Sequence, residues 1–73
     1  MFWMYILQCS DRSFYTGHTD DLERRLGEHM TGAIRSCYTF ERRPLTLVHA
    51  SHFLTREEAL AMERRVKGWS RAK

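Results

Sequence analysis

A chain of 73 residues is long enough for one domain with a small core, and its 42% hydrophobic and 29% charged residues are typical of a soluble globular protein. No apolar run approaches the roughly 18 residues that a membrane-spanning helix needs, and the short apolar start lacks the basic region and cleavage site of a signal peptide. We therefore expect one domain over residues 1–73, no membrane association and a cytoplasmic location.

The charge of the chain is unevenly distributed. The formal net charge is +3, and basic residues concentrate after residue 23, among them Arg24, Arg25, Arg35, Arg42, Arg43, Arg64, Arg65, Lys67, Arg71 and Lys73. Such a distribution is typical of a surface that faces a polyanion, although a solvated basic surface would give the same pattern. Both interpretations stay open on charge alone.

The two cysteines do not indicate a metal site. Cys9 and Cys37 are too far apart for a paired metal-binding knuckle, and no CxxC or close Cys/His set accompanies them. We therefore predict that both are buried free thiols.

The first 19 residues predict a β-hairpin. Residues 2–9 form an apolar run of strand length, and residues 13–19 are rich in aromatic and β-branched side chains. The intervening Ser10-Asp11-Arg12 has the composition of a turn. Two antiparallel strands joined by this turn are the simplest interpretation.

The length of the hairpin loop decides where its two tyrosines point. A three-residue loop pairs Tyr5 with Gly17 and Leu7 with Tyr15, which places both tyrosines on one face as diagonal neighbours. A two-residue loop would place them on opposite faces. Aromatic packing within a hairpin explains the pair without any chemistry.

A first helix is predicted after the hairpin, with Asp20 as its N-cap and Glu23 completing a capping box. It should run to about Met30 and stop at Thr31-Gly32, with Leu22, Leu26 and Met30 as its apolar stripe.

Arg25 and His29 lie four residues apart at the margin of this stripe. Two orientations of these side chains are compatible with this position. Either both face an adjacent cleft, or the arginine extends to solvent and the histidine is a satisfied, partly buried residue.

The second half of the chain predicts one more strand and one more helix. Residues 33–43 have no clear pattern, and a third strand is predicted over residues 45–50, with an extension to Phe53. Thr55 and Glu58 form a second capping box, which opens a helix that should reach about Gly68.

Glu63 is an unexpected residue in that helix, because it falls inside the apolar sector formed by Ala59, Leu60 and Val66. A buried carboxylate is costly unless it is paired, protonated or bound to a metal. An ion pair with one of the many arginines is one explanation. The other is a ligand for Mg²⁺, which often takes only one or two protein carboxylates.

Taken in order, these residues resemble the GIY-YIG nuclease superfamily, and in particular its small stand-alone bacterial single-domain members. The matching text is WMYILQCSDRSFYTGHTDDLERRLGEH, ERRPLTLVHASHF and EEALAMERRVKGWSRAK, which spans nearly the whole chain. The resemblance implies an α+β fold, with a three-stranded antiparallel sheet flanked by helices in the order β-β-α-β-α. It also implies hydrolysis of DNA phosphodiester bonds with one Mg²⁺ or Mn²⁺ ion, low intrinsic sequence specificity and no small-molecule cofactor.

The resemblance also implies a set of site residues. Tyr5 and Tyr15 correspond to the tyrosines of the two signature triplets, Arg25 to the helix arginine and Glu63 to the metal-binding glutamate. His29 matches a histidine found in some branches. Substrate contacts are expected from Gly17, which closes the second triplet, from His18, which stands where repair relatives have a lysine, and from Lys67.

By analogy with the family, Tyr15 would take a proton from the attacking water and Tyr5 would orient water or phosphate. Arg25 and a metal ion on Glu63 would stabilise the negative charge that develops on the phosphate.

Three functional expectations follow. The first is a metal-dependent DNA endonuclease, the second a non-catalytic nucleic-acid-binding module on a nuclease fold, and the third a small protein-interaction domain. DNA binding through the basic face alone should be weak and salt-sensitive, and a protein partner is left open. Many relatives have a late asparagine and a longer tail, so we expect a sequence that is either truncated or minimal.

Overall fold

Strand β1 is the centre of the fold in the computed structural model, which describes residues 1–71 and their side chains up to Gly68. Lys73 lies outside these residues, as does the side chain of Arg71. The elements are β1 (Phe2–Gln8), β2 (Phe14–Thr19), α1 (Leu22–Thr31), a single 3₁₀ turn (Phe40–Arg42), β3 (Thr46–Phe53) and α2 (Arg56–Arg71). The three strands are antiparallel in the order β2-β1-β3, which confirms the predicted α+β fold with the element order β-β-α-β-α.

The hairpin has the three-residue loop that puts both tyrosines on one face. The Cys9 N–H donates to the Ser13 carbonyl at 2.8 Å, and Arg12 closes the loop with a φ of 71°. The Asp11 carboxylate accepts a hydrogen bond from the Ser13 N–H at 3.0 Å. The resulting register pairs Tyr5 with Gly17 and Leu7 with Tyr15, as predicted.

The two helices lie on opposite faces of the sheet. Because side chains alternate along a strand, Tyr5 and Leu7 share one face, where Leu22 and Leu26 of α1 pack against their cluster. The other face carries Met4, which lies with Met62 and Val66 of α2 around one apolar cavity.

Helix α1 begins one residue later than predicted. Its N-cap is Asp21, whose carboxylate accepts from the Arg24 N–H at 3.1 Å, whereas Asp20 is exposed and does not cap the helix. The predicted capping box of Asp20 and Glu23 is therefore wrong. The helix stops where predicted, at Gly32, whose φ of 75° is the left-handed conformation that glycine adopts readily.

The buried face of α1 also differs from the prediction at its last position. Met30 is 40% exposed, and His29 is 1% exposed in its place. At 100° per residue, position 29 is only about 20° from Leu22 around the helix, but position 30 is about 80° away. The apolar stripe therefore continues through the histidine.

The start of α2 follows the prediction. Thr55 Oγ1 accepts from the Glu58 N–H at 3.2 Å, and Glu58 Oε1 accepts from the Thr55 N–H at 3.3 Å, which is a complete capping box. Both cysteines are free; Cys9 is buried as predicted, but Cys37 is only partly buried. Within the described part of the chain, no helix combines the length and the apolar composition required to cross a membrane.

Candidate functional site

Tyr5 and Tyr15 lie side by side on the α1 face of the sheet, with ring centroids 6.3 Å apart. Gly17 makes this arrangement possible. A Cβ atom at position 17 would lie 2.7 Å from the Tyr5 hydroxyl oxygen, which is closer than real Cβ atoms approach, and 3.1 Å from Cε2 of Tyr15, which is a tight contact. The glycine thus lets the Tyr5 ring lie across strand β2, as its pairing position predicted.

His29 fixes the Tyr5 hydroxyl. Nε2 of His29 lies 2.8 Å from the hydroxyl oxygen, and Nδ1 lies 2.9 Å from Oγ1 of Thr39. The Thr39 hydroxyl donates in turn to Sγ of Cys37 at 3.4 Å. Because Thr39 donates to Cys37, His29 Nδ1–H donates to Thr39, and in the neutral imidazole Nε2 then accepts from the Tyr5 hydroxyl, which satisfies both ring nitrogens.

Burial controls the ionisation of these groups. Burial lowers the pKa of His29, and the positive charge of Arg25 lowers it further, so the imidazole stays neutral. Burial also raises the pKa of Tyr5, and the nearby Arg25 guanidinium only partly offsets that rise. Tyr5 therefore carries its proton at neutral pH and donates it to His29.

Arg25 lies at the margin of this face, as its helical position predicted. The guanidinium is close enough to the Tyr5 hydroxyl to change its pKa, and Nη1 also donates to Glu28 at 3.2 Å. Its side chain is 35% exposed. The arginine is thus half-buried beside the tyrosine, and part of it faces solvent. We call Tyr5, Tyr15, Arg25 and His29 the tyrosine cluster.

Glu63 is 7% exposed on α2, on the other side of the sheet, and its carboxylate is fully paired. His18 Nδ1 lies 2.5 Å from Oε1, and Lys67 Nζ lies 2.6 Å from Oε2. The structural explanation considered from the sequence was an arginine partner, but the partners are a histidine and a lysine. We call His18, Glu63 and Lys67 the carboxylate cluster.

The hydrogen bonds around Glu63 outweigh its burial. Burial opposes ionisation, but the contacts with Lys67 and His18 hold the pKa of Glu63 below its usual value. The carboxylate is therefore ionised at neutral pH, which is the state required of a metal ligand.

The two clusters meet at the end of strand β2. His18 and Arg25 line one cavity of about 180 Å³, together with Arg24, Arg56 and the carboxylates of Asp20, Asp21 and Glu28. The negative charge of Glu63 also contributes to raising the pKa of Tyr5, so the two clusters are in electrostatic contact. The two clusters therefore adjoin at this cavity, to which one contributes His18 and the other Arg25. Glu63 does not share the face that carries the tyrosines.

Sequence reasoning missed the residues that segment 33–43 brings to the site. Thr39 is 1% exposed against His29, and the Tyr38 ring lies almost parallel to that of Tyr15, at 19° and 6.3 Å between centroids. The guanidinium carbon of Arg42 lies 3.8 Å from the centroid of the Tyr38 ring, and the same side chain forms an ion pair with Asp11. The segment has no strand or helix periodicity, so its only sequence signal was an aromatic residue followed by arginines.

Tyr15 is packed in a way that keeps it protonated. Burial raises its pKa, and negative charge on Tyr5 or Cys37 would raise it further. The surroundings of Tyr15 therefore keep its hydroxyl protonated.

The donor chemistry of Glu63 fits a hard divalent cation. Within the residues that the structure describes, no group of three or more His, Cys, Asp or Glu side chains could hold a metal ion. Mg²⁺ needs fewer protein ligands, since water and phosphate oxygens complete its octahedron. The ionised, nearly buried Glu63 is suited to that single-carboxylate mode, provided that the ion shares the carboxylate with His18 or Lys67, or replaces one of them.

The chain is similar to a known protein family and to several of its relatives. The family model described as the GIY-YIG catalytic domain matches residues 1–73. The chain is similar to a UPF0213 protein of Haloquadratum walsbyi, with 46% identity over 97% of this chain and 79% of that protein. It is also similar to a UPF0213 protein of Halobacterium salinarum, with 43% identity over 99% of this chain and 92% of that protein.

A solved structure supports the same fold. The chain is similar to the solution NMR structure of a UPF0213 protein from Bacillus halodurans, with a TM-score of 0.57 and 42% sequence identity. The match covers 93% of this chain and 72% of that chain.

Proposed function

The chain belongs to the GIY-YIG family, and we propose that it is a divalent-metal-dependent endonuclease. It would hydrolyse DNA phosphodiester bonds with little sequence specificity of its own. The observation that carries the proposal is the Tyr5 hydroxyl, held 2.8 Å from a buried neutral histidine with the Arg25 cation beside it. A hydroxyl and a guanidinium fixed side by side are suited to bind a phosphate and the water that attacks it.

Arg25 supplies the positive charge of this arrangement. Attack on a phosphodiester increases negative charge on its nonbridging oxygens, and a planar guanidinium can donate two hydrogen bonds to them. Because the side chain is 35% exposed, its charge remains accessible to a substrate at the surface.

Tyr5 supplies orientation. Its hydroxyl donates to His29, which leaves the lone pairs of the buried oxygen as acceptors for the neighbouring Arg25 guanidinium and for a water molecule that enters the site. The second contact of His29, to Thr39, prevents rotation of the imidazole. Tyr5 therefore positions a water molecule and remains protonated itself.

Tyr15 remains the proposed proton acceptor by family analogy, but the chain alone does not prepare it for that role. Its pKa is raised by burial, and a phenol with a raised pKa is a poor base at neutral pH. As packed, Tyr15 can donate a hydrogen bond to a phosphate oxygen or hold the attacking water.

Glu63 would hold the divalent ion, with His18 and Lys67 beside its carboxylate. When bound, such an ion would supply positive charge for the phosphate oxygens and lower the pKa of a coordinated water. His18 orients the carboxylate from Oε1, which keeps Glu63 ionised and directed toward β2.

A plasmid-nicking assay tests the proposal. Wild-type protein should convert supercoiled plasmid to the nicked form with Mg²⁺ or Mn²⁺ and not with EDTA. Glu63→Gln should reduce the rate at least about 100-fold, because it removes the charge of the proposed ligand. Glu57→Gln, which changes an exposed carboxylate on the same helix, is the matched control and should nick at nearly the wild-type rate. Nicking that is equally fast in both variants would contradict the proposal.

A non-catalytic nucleic-acid-binding module is the second candidate. The observation that favours it is that both Glu63 oxygens already have partners within the chain. This candidate predicts salt-dependent binding of duplex DNA without any divalent-ion-dependent nicking. Fluorescence anisotropy at several salt concentrations, measured beside the nicking assay, distinguishes the two functions.

A further inference from the structure

Lys67 provides a positive charge at the Glu63 carboxylate. Its ammonium lies 2.6 Å from Oε2, while His18 occupies Oε1. A carboxylate that is only 7% exposed needs such compensation, because burying an unpaired charge is strongly unfavourable. The chain therefore supplies its own cation to the residue that the proposed function assigns to a divalent ion.

The two partners of Glu63 differ in how easily they can leave. Lys67 is one helical turn from Glu63, and its side chain is 55% exposed, so the ammonium can turn into water by rotation of a flexible stem. His18 belongs to strand β2, and its side chain is 29% exposed. Of the two, Lys67 is the more exposed partner and has the more flexible side chain.

We propose that Lys67 is the resident counter-ion of Glu63: it neutralises the carboxylate until a divalent ion binds there, and then turns outward to a phosphate oxygen of the nucleic acid. This inference rests on the proposed metal role of Glu63. An ammonium at contact distance from Oε2 repels a second cation on the same carboxylate, so metal binding competes with the Glu63–Lys67 contact. Because Lys67 and His18 contact the same carboxylate, the released ammonium would add a positive charge for a phosphate on the His18 side of α2.

The first experiment measures Mn²⁺ affinity by isothermal titration calorimetry in the absence of DNA. Lys67→Met removes the competing charge and should bind Mn²⁺ about two- to fivefold more tightly than wild type, the effect expected from losing one partly exposed ion pair. Lys67→Arg keeps the charge and should bind with nearly wild-type affinity. Glu63→Gln should lose this binding.

Arg65→Met is the matched control, because Arg65 is exposed and lies about 160° around the helix from Lys67. It removes the same charge and should change Mn²⁺ affinity less than about twofold, since exposed charges at a distance are screened. Circular dichroism and thermal unfolding of each variant establish that all are folded. Lys67→Arg keeps the test decisive if Lys67→Met is unstable, because a gain in affinity from a variant that retains the charge would itself contradict competition.

The second experiment measures the salt dependence of duplex DNA binding with and without Mn²⁺. In wild type, Mn²⁺ should increase the slope by about one phosphate contact relative to Lys67→Met, and Arg65→Met should respond as wild type does. An equal response in wild type and Lys67→Met would overturn the phosphate contact.

The outcomes separate this inference from the proposed function. If Lys67→Met binds Mn²⁺ no more tightly than wild type while nicking still depends on Glu63, the inference is overturned and the nuclease proposal stands. If wild type shows no Glu63-dependent Mn²⁺ binding and no nicking, both are overturned. Tighter binding in Lys67→Met without nicking supports the inference and contradicts only the catalytic activity.

Discussion

The tyrosine cluster and the carboxylate cluster are built by different forces. In the first, Tyr5 is 0% and His29 1% exposed, and hydrogen bonds between neutral groups fix both side chains within the core. In the second, Glu63 is nearly buried, but its partners His18 and Lys67 have side chains 29% and 55% exposed. One half of the site is therefore set by packing, and the other by charge.

This difference has a functional consequence. Buried neutral hydrogen bonds are insensitive to salt and keep one geometry, since breaking them leaves polar groups without partners in the core. Ion pairs with exposed members are weakened by salt and can exchange partners. The tyrosine cluster is thus suited to orient a substrate, whereas the carboxylate cluster is suited to exchange one cation for another.

The largest expected effect comes from disturbing the packing of the tyrosine cluster at Gly17. Gly17→Ala places a Cβ 2.7 Å from the Tyr5 hydroxyl oxygen and 2.8 Å from Cζ, so the ring must move away from position 17. Overpacking of this kind should reduce the free energy of unfolding by about 1–3 kcal/mol. Urea denaturation monitored by circular dichroism measures the change.

Gly27→Ala is the matched control for that substitution. Gly27 lies in the middle of α1, and its added Cβ meets no atom within 4 Å. Alanine should raise the stability by about 0.5–1 kcal/mol, because glycine is unfavourable in a helix interior. A loss of stability at position 27 as large as that at position 17 would argue against the steric explanation.

A smaller effect is expected from removing one hydrogen bond of the same cluster. Tyr5→Phe keeps the ring but leaves His29 Nε2 buried without its partner, which should cost about 1–2 kcal/mol. Tyr38→Phe removes a hydroxyl that bonds Ser13 at the surface, and it should cost about 0.5 kcal/mol or less. Thermal unfolding of the two variants, each relative to wild type, measures the difference. Equal losses would mean that the Tyr5 hydroxyl is not held as the structure has it.

Local sequence signals predicted the parts of the fold that depend on neighbouring residues. The three-residue turn determined the register of Tyr5 and Tyr15, and Thr55 and Glu58 identified the start of α2. The predicted start of the first helix was wrong by one residue: Asp20 and Asp21 are both able to cap, and the observed cap is Asp21. Sequence alone does not distinguish two adjacent residues with the same capping chemistry.

The candidate site was less predictable, because its contacts depend on tertiary packing. Lys67 lies four residues after Glu63, so this ion pair was predictable as an i,i+4 contact, although the ion pair considered from the sequence was with an arginine. The bond between His18 and Glu63 joins residues 45 positions apart and exists only because α2 packs against β2. Thr39 lies in a segment without periodicity, so nothing in the sequence placed it against His29.

The smallest expected effect is a pH dependence of stability that originates at His29. Burial, and secondly the charge of Arg25, lowers the pKa of His29 below its ordinary value of 6.5 in the folded chain. The unfolded chain then takes up a proton on this residue at a higher pH than the folded chain does. Stability should therefore be complete above about pH 6.5 and should decrease as the pH falls from there toward the lower pKa of the folded state. Urea denaturation of wild type and His29→Gln between pH 5 and 8 measures this contribution as a difference in slope, which removes the titration of every other group. His49→Gln, which changes an exposed histidine of β3, should keep the wild-type slope. A slope that is the same with and without His29 would mean that the fold does not lower the pKa of the imidazole, which would contradict its burial as the neutral partner of the Tyr5 hydroxyl.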